Sequence, residues 1–299
     1  MSKSAMNWRK ELKGRVRLKE PLKKHTTFKI GGPAKFFIEP RDLEDLKQLL
    51  IICKRYKMPF FVIGSGSNIL VSDQGLNAAV FRLSASFFKT LKFDGCYLEA
   101  GSGASLNQVI KKCAKQGLSG AEFLIGIPGT VGGAIMMNAG QAKAGPQVSD
   151  LIEDVTVIDH SGKIRKINKK DVRFGYRSCN LSRYIILRAR FRLAAMGKKK
   201  IINDMRKYML LKKGQDYAHP SAGCIFKNPP GDSAGRLIDL CGLKGKGLGG
   251  ASVSLKHANF LINKSKASAK DVLRLMRLIK KEVKRRFKIN LHPEIKLWA

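Results

Sequence analysis

Cysteine pairs of the C-x-x-C kind are missing from this chain, although it carries six cysteines, at 53, 96, 113, 179, 224 and 241. Their spacing offers no zinc-like grouping, so no metal is expected, and reduced thiols in a cytoplasmic protein are the plain reading. Acids are scarce: 22 Asp and Glu stand against 58 Lys and Arg, a formal net charge of +36. No apolar stretch approaches the roughly 20 residues of a membrane-spanning helix. The first twenty residues, MSKSAMNWRKELKGRVRLKE, have no apolar run between their charges, so neither a secretory signal nor a membrane partner is expected. Aromatics make up only 8% and fall mostly in strand-like segments, which argues against a base-stacking nucleic-acid surface and against a specific nucleic-acid partner.

What is present is enough apolar material, 44% of 299 residues, to bury real cores in two or three modest domains. The charge has two readings. Anions, nucleic acid included, are drawn to such a surface; alternatively the lysines are solvated decoration, the reading favoured here because the basic residues are spread along the chain. Their densest run, KDVLRLMRLIKKEVKRRFK at 270–288, places Val272, Met276, Ile279, Val283 and Phe287 at helical spacing behind a Ser268/Asp271 capping pattern. It reads as an amphipathic helix with a basic outer face. Further helices are expected at 41–57, 105–117, near 201–213 and at 232–241. Strands are expected at 34–39, 60–63, 69–73, 78–83, 96–101 and 184–193, around Cys224–Phe226, and at 259–263 and 294–298. A hairpin joins 154–159 to 163–168, and Gly197–Lys200 reads as a surface joint. The mixed order predicts an α+β fold with a boundary near residue 196.

One segment breaks the basic pattern. GIPGTVGGAIMMNAG, 126–140, holds five glycines and no charge. Gly129, Gly132 and Gly133 are expected to allow positive φ and close approach of another molecule. Its apolar residues Ile127, Val131, Ile135, Met136 and Met137 are foreign to a flexible linker. A second cluster, GSGSN at 64–68, follows a strand. It is no Rossmann fingerprint, because position 69 is Ile and a strand-like ILVSD follows in place of a helix. Each cluster alone reads as a tight turn. Together, with Ser65, Ser67, Asn68 and Thr130 adding polar groups, they favour a dinucleotide gripped from both sides by backbone N–H groups.

HTTFKIGGPA (25–34), FVIGSGSNILVSD (61–73), the 126–140 segment, FGYRS (174–178), SAGCIFKNP (221–229), GGASVSLKHANFLIN (249–263) and LHPEIKLW (291–298) occur in that order. The series resembles the UDP-N-acetylenolpyruvoylglucosamine reductase, or MurB, family, over nearly the whole chain. No segment matches the tyrosine-bearing insertion of longer members, which suggests the short subclass. The resemblance implies an FAD-binding PCMH-type (vanillyl-alcohol-oxidase-like) fold plus a C-terminal α/β substrate domain. The corresponding parts are a lead-in at 1–33, a flavin-binding domain at 34–195 and a substrate-binding domain at 196–299.

It further implies non-covalent FAD, NADPH as co-substrate, and a cytoplasmic, monomeric enzyme of peptidoglycan precursor synthesis. In the family, UDP-N-acetylglucosamine enolpyruvate is reduced to UDP-N-acetylmuramate, hydride coming from flavin N5. Gly64, Ser65, Gly66, Ser67, Asn68, Gly126, Pro128, Gly129, Thr130, Gly132 and Gly133 are the implied cofactor contacts. Arg177 matches the arginine facing the substrate carboxylate, and Glu294 the acid assisting enolate formation. Cys224 stands where many members carry a serine proton donor, and a thiol with pKa near ~8.5 is the stronger acid. Tyr176, Lys213 (or Lys212), Asn228 and His257 are the implied substrate contacts.

Each of these residues also has a plainer reading. Arg177 is one of many surface cations, Glu294 a salt-bridge partner for a lysine, Cys224 a small buried hydrophobe, and His257 a hydrogen-bonded structural histidine. Two other functions compete: a different oxidase or dehydrogenase on the same fold, and an RNA-binding protein that exploits the charge.

Overall fold

The computed structural model describes residues 3–141 and 145–299. The chain divides into two compact units, neither of them continuous in sequence. The first comprises residues up to Arg17, Phe36–Gly64 and Ala78–Lys212; the second comprises Leu18–Lys35, Ser65–Asn77 and Lys213–Ala299.

Two sheets have strands in the first unit. In one, the order is Arg15–Pro21, Pro33–Glu39, Leu76–Arg82, Phe60–Ile63, and the last two run parallel with Phe60 opposite Ala79. The other is a five-stranded antiparallel sheet, ordered Ile164–Asn168, Ile152–Asp159, Tyr184–Arg192, Tyr97–Gly101, Leu91–Asp94. Helix Leu43–Arg55 begins where the Asp42 carboxylate accepts the Asp45 N–H at 2.9 Å, and it buries Leu46, Leu49, Leu50 and Cys53. Helix Leu106–Lys115 starts from a Ser105/Gln108 capping box, and Gly117, at φ 68°, follows its end. The Asp45 carboxylate, itself buried, accepts backbone N–H groups from Lys13, Gly14 and Arg41, tying the N-terminal segment to this helix.

The second unit is built on a four-stranded antiparallel sheet, ordered Ser221–Cys224, Phe260–Asn263, Ala251–Val253, Gly247–Leu248. Helix Ala269–Phe287 packs on it through Val272, Leu275, Met276, Ile279 and Val283, all buried. The expected Ser268/Asp271 capping box is present, and the Asp73 carboxylate adds bonds to the N–H groups of Ala269 and Lys270. A parallel pair, Ile69–Val71 with Lys296–Trp298, brings the C-terminus beside the GSGSN segment.

Three local readings need correction. Lys198–Lys200 is not a joint; it forms the first turn of helix Lys198–Leu210, whose buried residue Ile201 follows directly. The strand around Cys224 ends at that residue, because Ile225 and Phe226 turn away to bond with Asn259. In the glycine-rich segment, Val131–Met136 is a short helix. Gly126 has positive φ, at 75°, whereas Gly129, Gly132 and Gly133 do not.

Candidate active site

In the first unit the glycine-rich segment is fixed at both ends. At its start, Lys212, a buried lysine, donates from Nζ to the Phe123 carbonyl at 3.1 Å and to that of Ile125. Burial, and secondarily the Arg177 charge, push the Lys212 ammonium down to a pKa of about 8. At the other end, Arg177 donates from Nη2 to the Gly140 carbonyl at 3.0 Å and from Nη1 to that of Asn138 at 3.5 Å.

Arg177 occupies the two-residue tip, Tyr176–Arg177, of the hairpin Phe174–Gly175/Ser178–Cys179. Its φ is 54°, a left-handed conformation that costs a non-glycine residue on the order of 1–3 kcal/mol and gathers at functional sites. The hairpin is held by Asn138, which is buried, has φ 41°, and donates from Nδ2 to the Gly175 carbonyl at 3.2 Å and to Gln147 at 2.8 Å. Asn138 lies inside the quoted glycine-rich segment and was not singled out by sequence reasoning. The available signal was an asparagine, a residue that tolerates left-handed backbone, amid glycines.

Gly64 belongs to the first unit, and the structure sets it against Thr130. A Cβ on Gly64 would come within 2.6 Å of Thr130 Oγ1, which itself caps helix Val131–Met136 by accepting the Gly133 N–H. Gly132 passes close to Ser102: it donates to the Ser102 carbonyl at 2.9 Å, and a Cβ would lie 3.0 Å from Ser102 Cβ. Gly133 is different. It is exposed, has ordinary φ, and a Cβ there would meet nothing nearer than Thr130 Oγ1 at 3.5 Å. Nothing inside the fold demands glycine at 133.

Ser65, Gly66, Ser67 and Asn68 fall in the second unit. Gly66, at φ 65°, is required by packing, since a Cβ would sit 2.1 Å from the His25 carbonyl oxygen. Asn68 donates to the Glu294 carbonyl at 3.3 Å, and its own carbonyl accepts the Lys296 N–H. Glu294 is half-buried and donates its N–H to the Ile225 carbonyl at 2.8 Å, while Lys227 N–H bonds the His292 carbonyl. Glu294 is thereby held beside the segment that follows Cys224.

The strand carrying Cys224 has a bulge. Ser221 pairs with Ile262 and Cys224 with Phe260, so three residue steps oppose two, and Gly223 absorbs the extra residue at φ 74°. Such bulges re-aim a side chain. Asn228 accepts the Ala234 N–H at 3.0 Å and so helps begin helix Ala234–Leu240. His257 accepts the Asn259 N–H at Nδ1, 3.3 Å, and burial pulls its pKa down. The ring is therefore neutral with its proton on Nε2. Of the two neighbouring lysines, Lys213 is exposed and Lys212 is the buried one. Among the described residues there is no metal-holding cluster and no helix long and apolar enough to cross a membrane.

Comparison with known proteins agrees with this layout. Residues 34–168 match a family model described as FAD binding domain, and residues 215–298 match one described as UDP-N-acetylenolpyruvoylglucosamine reductase, C-terminal domain. The chain is 39% identical to UDP-N-acetylenolpyruvoylglucosamine reductase 2 of Symbiobacterium thermophilum over 289 residues, covering 96% of this chain and 93% of the relative. It is 42% identical to the reductase of Clostridium novyi, covering 92% and 90%. The crystal structure of the Thermus caldophilus reductase superposes with a TM-score of 0.82 at 38% identity, covering 96% of this chain and 100% of that one. A solvent-stable cholesterol oxidase shares the fold at 15% identity, with a TM-score of 0.50.

Fold and domain content define an FAD-dependent oxidoreductase with the PCMH-type flavin-binding architecture. Within that class, the chain belongs to the UDP-N-acetylenolpyruvoylglucosamine reductase (MurB) family, which places it among the enzymes of peptidoglycan synthesis.

The residues present in the first unit fit a flavin dinucleotide. A glycine at 133 costs a helix about 1 kcal/mol relative to alanine, and the protein's own packing gives no return for it. A molecule lying on that face would give one. Gly133→Ala is therefore expected to leave thermal stability unchanged or slightly raised, while FAD affinity, measured by fluorescence titration of the apoprotein, falls about tenfold or more, since adding one methyl against a close-packed ligand costs on the order of 1–3 kcal/mol. An unchanged FAD affinity would take Gly133 out of the cofactor bed.

Proposed function

We propose that the chain reduces UDP-N-acetylglucosamine enolpyruvate to UDP-N-acetylmuramate, drawing electrons from NADPH through non-covalently bound FAD. The observation that carries the residue assignment is the arrangement in the second unit. A glycine bulge presents Cys224, and the very next residue, Ile225, anchors the backbone of Glu294 at 2.8 Å. A thiol and a carboxyl held on adjoining backbone suit a reaction that must deliver a proton and manage an enolate.

FAD, when bound, supplies the hydride. The protein's tasks are the rest. Arg177 meets the enolpyruvyl carboxylate with its guanidinium, whose charge and fork geometry favour the developing enolate. Glu294, as a neutral acid, hydrogen-bonds the same carboxylate side. Cys224 gives the proton from Sγ to the carbon next to the carboxylate, and the thiolate recovers its proton from solvent. One hydride and one proton thus add across the carbon–carbon double bond.

Gly64, Ser65, Gly66, Ser67, Asn68, Gly126, Pro128, Gly129, Thr130, Gly132 and Gly133 are the proposed cofactor cradle. Tyr176, Lys213, Asn228 and His257 are proposed to meet the sugar nucleotide, His257 by its Nε2–H and Asn228 by its amide nitrogen, since the opposite polar atom of each already serves the backbone. A division into flavin-binding residues 34–195 and substrate-binding residues 196–299 is supported by the family-model ranges 34–168 and 215–298. The proposed setting is the cytoplasm, where cysteines stay reduced, with a monomeric enzyme serving wall synthesis and so cell shape and division.

The test is to follow flavin absorbance in the purified holoenzyme through two separate mixes. NADPH should bleach it and the enolpyruvyl sugar nucleotide should restore it. Bleaching without restoration would point to another oxidase or dehydrogenase on this fold.

A further inference from the structure

Asp216 and Ser254 are the most deeply buried polar pair of the second unit that the proposed chemistry leaves unused. Asp216 is 4% exposed and Ser254 0%. Ser254 Oγ donates to Asp216 Oδ2 at 2.7 Å, and the carboxylate also accepts from the Ala218 N–H at 3.2 Å and from His219 Nδ1 at 3.1 Å. These partners hold the Asp216 carboxyl below the usual carboxylate range against the opposing effect of burial. The same hydroxyl oxygen accepts the N–H groups of Lys256, at 3.1 Å, and His257, at 3.4 Å.

The geometry is not that of a nucleophile. Ser254 is closed to solvent, and the carboxylate stands between the hydroxyl and the imidazole instead of behind the imidazole. What the pair does is set the loop 254–259. That loop ends in Asn259, which is 2% exposed, accepts the Phe226 N–H at 3.0 Å and donates to the Phe226 carbonyl at 2.8 Å, while its own carbonyl accepts the Ile225 N–H at 2.9 Å. Ile225 in turn holds the Glu294 N–H. Asp216 also opens the path 216–220 that leads into the strand bearing Cys224.

We infer that Asp216 and Ser254 are positioning residues: one buried hydrogen-bonded pair fixes loop 254–259, and through Asn259 and Ile225 it fixes the backbone on which Cys224 and Glu294 stand. The inference rests on the proposed roles of those two residues in protonation. A buried carboxylate that loses a hydrogen-bond donor is left under-compensated, so Ser254 is not dispensable while Asp216 is ionised.

The test uses holoenzyme of the parent, Ser254→Ala, Asp216→Asn and, as a control, Cys224→Ala. Loss of a buried hydrogen bond is worth about tenfold in local opening. Amide exchange at Ile225, Phe226, Lys256, His257 and Glu294 should therefore accelerate about tenfold in Ser254→Ala, with the strand amides of Ala251–Val253 unchanged. Flavin reduction by NADPH should stay within about twofold of the parent and reoxidation by substrate should slow about tenfold, with kcat affected more than KM, because the group displaced acts in the transition state. Asp216→Asn keeps the shape of the side chain and should show the same pattern more weakly.

Unchanged exchange at Ile225, Phe226 and Glu294 would overturn the network. Accelerated exchange across the whole second unit, or accelerated local exchange with normal reoxidation, would overturn the positioning role. If Cys224→Ala itself reoxidises normally, the reading of Cys224 fails, and the exchange data still decide whether the pair fixes that backbone.

Discussion

Cys224→Ala holoenzyme is expected to be bleached by NADPH at the parental rate and reoxidised by the enolpyruvyl sugar nucleotide about 10²–10⁴-fold more slowly, the range a positioned proton donor contributes. The contrast between the two half-reactions is what makes the result informative. Hydride arrival at the flavin needs nothing from Cys224. Quenching of the enolate needs a proton at one carbon, and with the thiol gone only water is left to bring it. Truncation there should cost little stability, since Cys224 is half-buried and its strand pairing is a backbone matter. Cys224→Ser should recover most of the rate, because the hydroxyl reaches the same place from the same bulge. A dead serine variant would mean that the site depends on thiol acidity. Normal reoxidation in the alanine variant would remove Cys224 from the mechanism.

That the strand bulges at Gly223 was not legible in SAGC, although the glycine that allows it was. Elements whose apolar spacing and caps agree were placed within a residue or two: the strand Phe60–Ile63, the helix Leu43–Arg55, and the basic helix with its Ser268/Asp271 box. The helix inside the glycine-rich segment was hidden because two of its six residues are glycine, the poorest helix former but proline. Lys198–Lys200 reads as a joint because three consecutive lysines carry no apolar period of their own. Candidate side chains were legible through motif order. Their supports, Asn138, Asn259, Asp216 and Ser254, were not, because each bonds residues distant in sequence and a polar residue destined for burial looks like any other.

Arg177→Gln should lower kcat/KM for the enolpyruvyl substrate by about 10²–10³-fold, the loss that follows removal of one preorganised stabiliser of developing negative charge, and Arg177→Lys should recover only part of it. A lysine keeps the charge but not the planar fork, and it gives up the grip on the Gly140 and Asn138 carbonyls that now fixes the guanidinium. The glutamine variant has a second consequence that turnover cannot imitate. Lys212 carries a pKa of about 8, pushed there first by burial and then by Arg177. A lysine whose folded pKa lies below its unfolded one binds fewer protons when folded, so its contribution to stability improves as pH rises through about 8 toward the ordinary lysine value near 10.4. Removing the Arg177 charge raises the folded pKa and shrinks that gain. Urea unfolding at pH 7.5 and 9.5 should therefore show a smaller alkaline gain in Arg177→Gln than in the parent, and none from this source when Lys212→Met replaces the titrating group. An identical pH response in parent and Arg177→Gln would mean that the two cations do not sense each other, and that the glycine-rich segment is held by two independent clamps instead of one coupled pair.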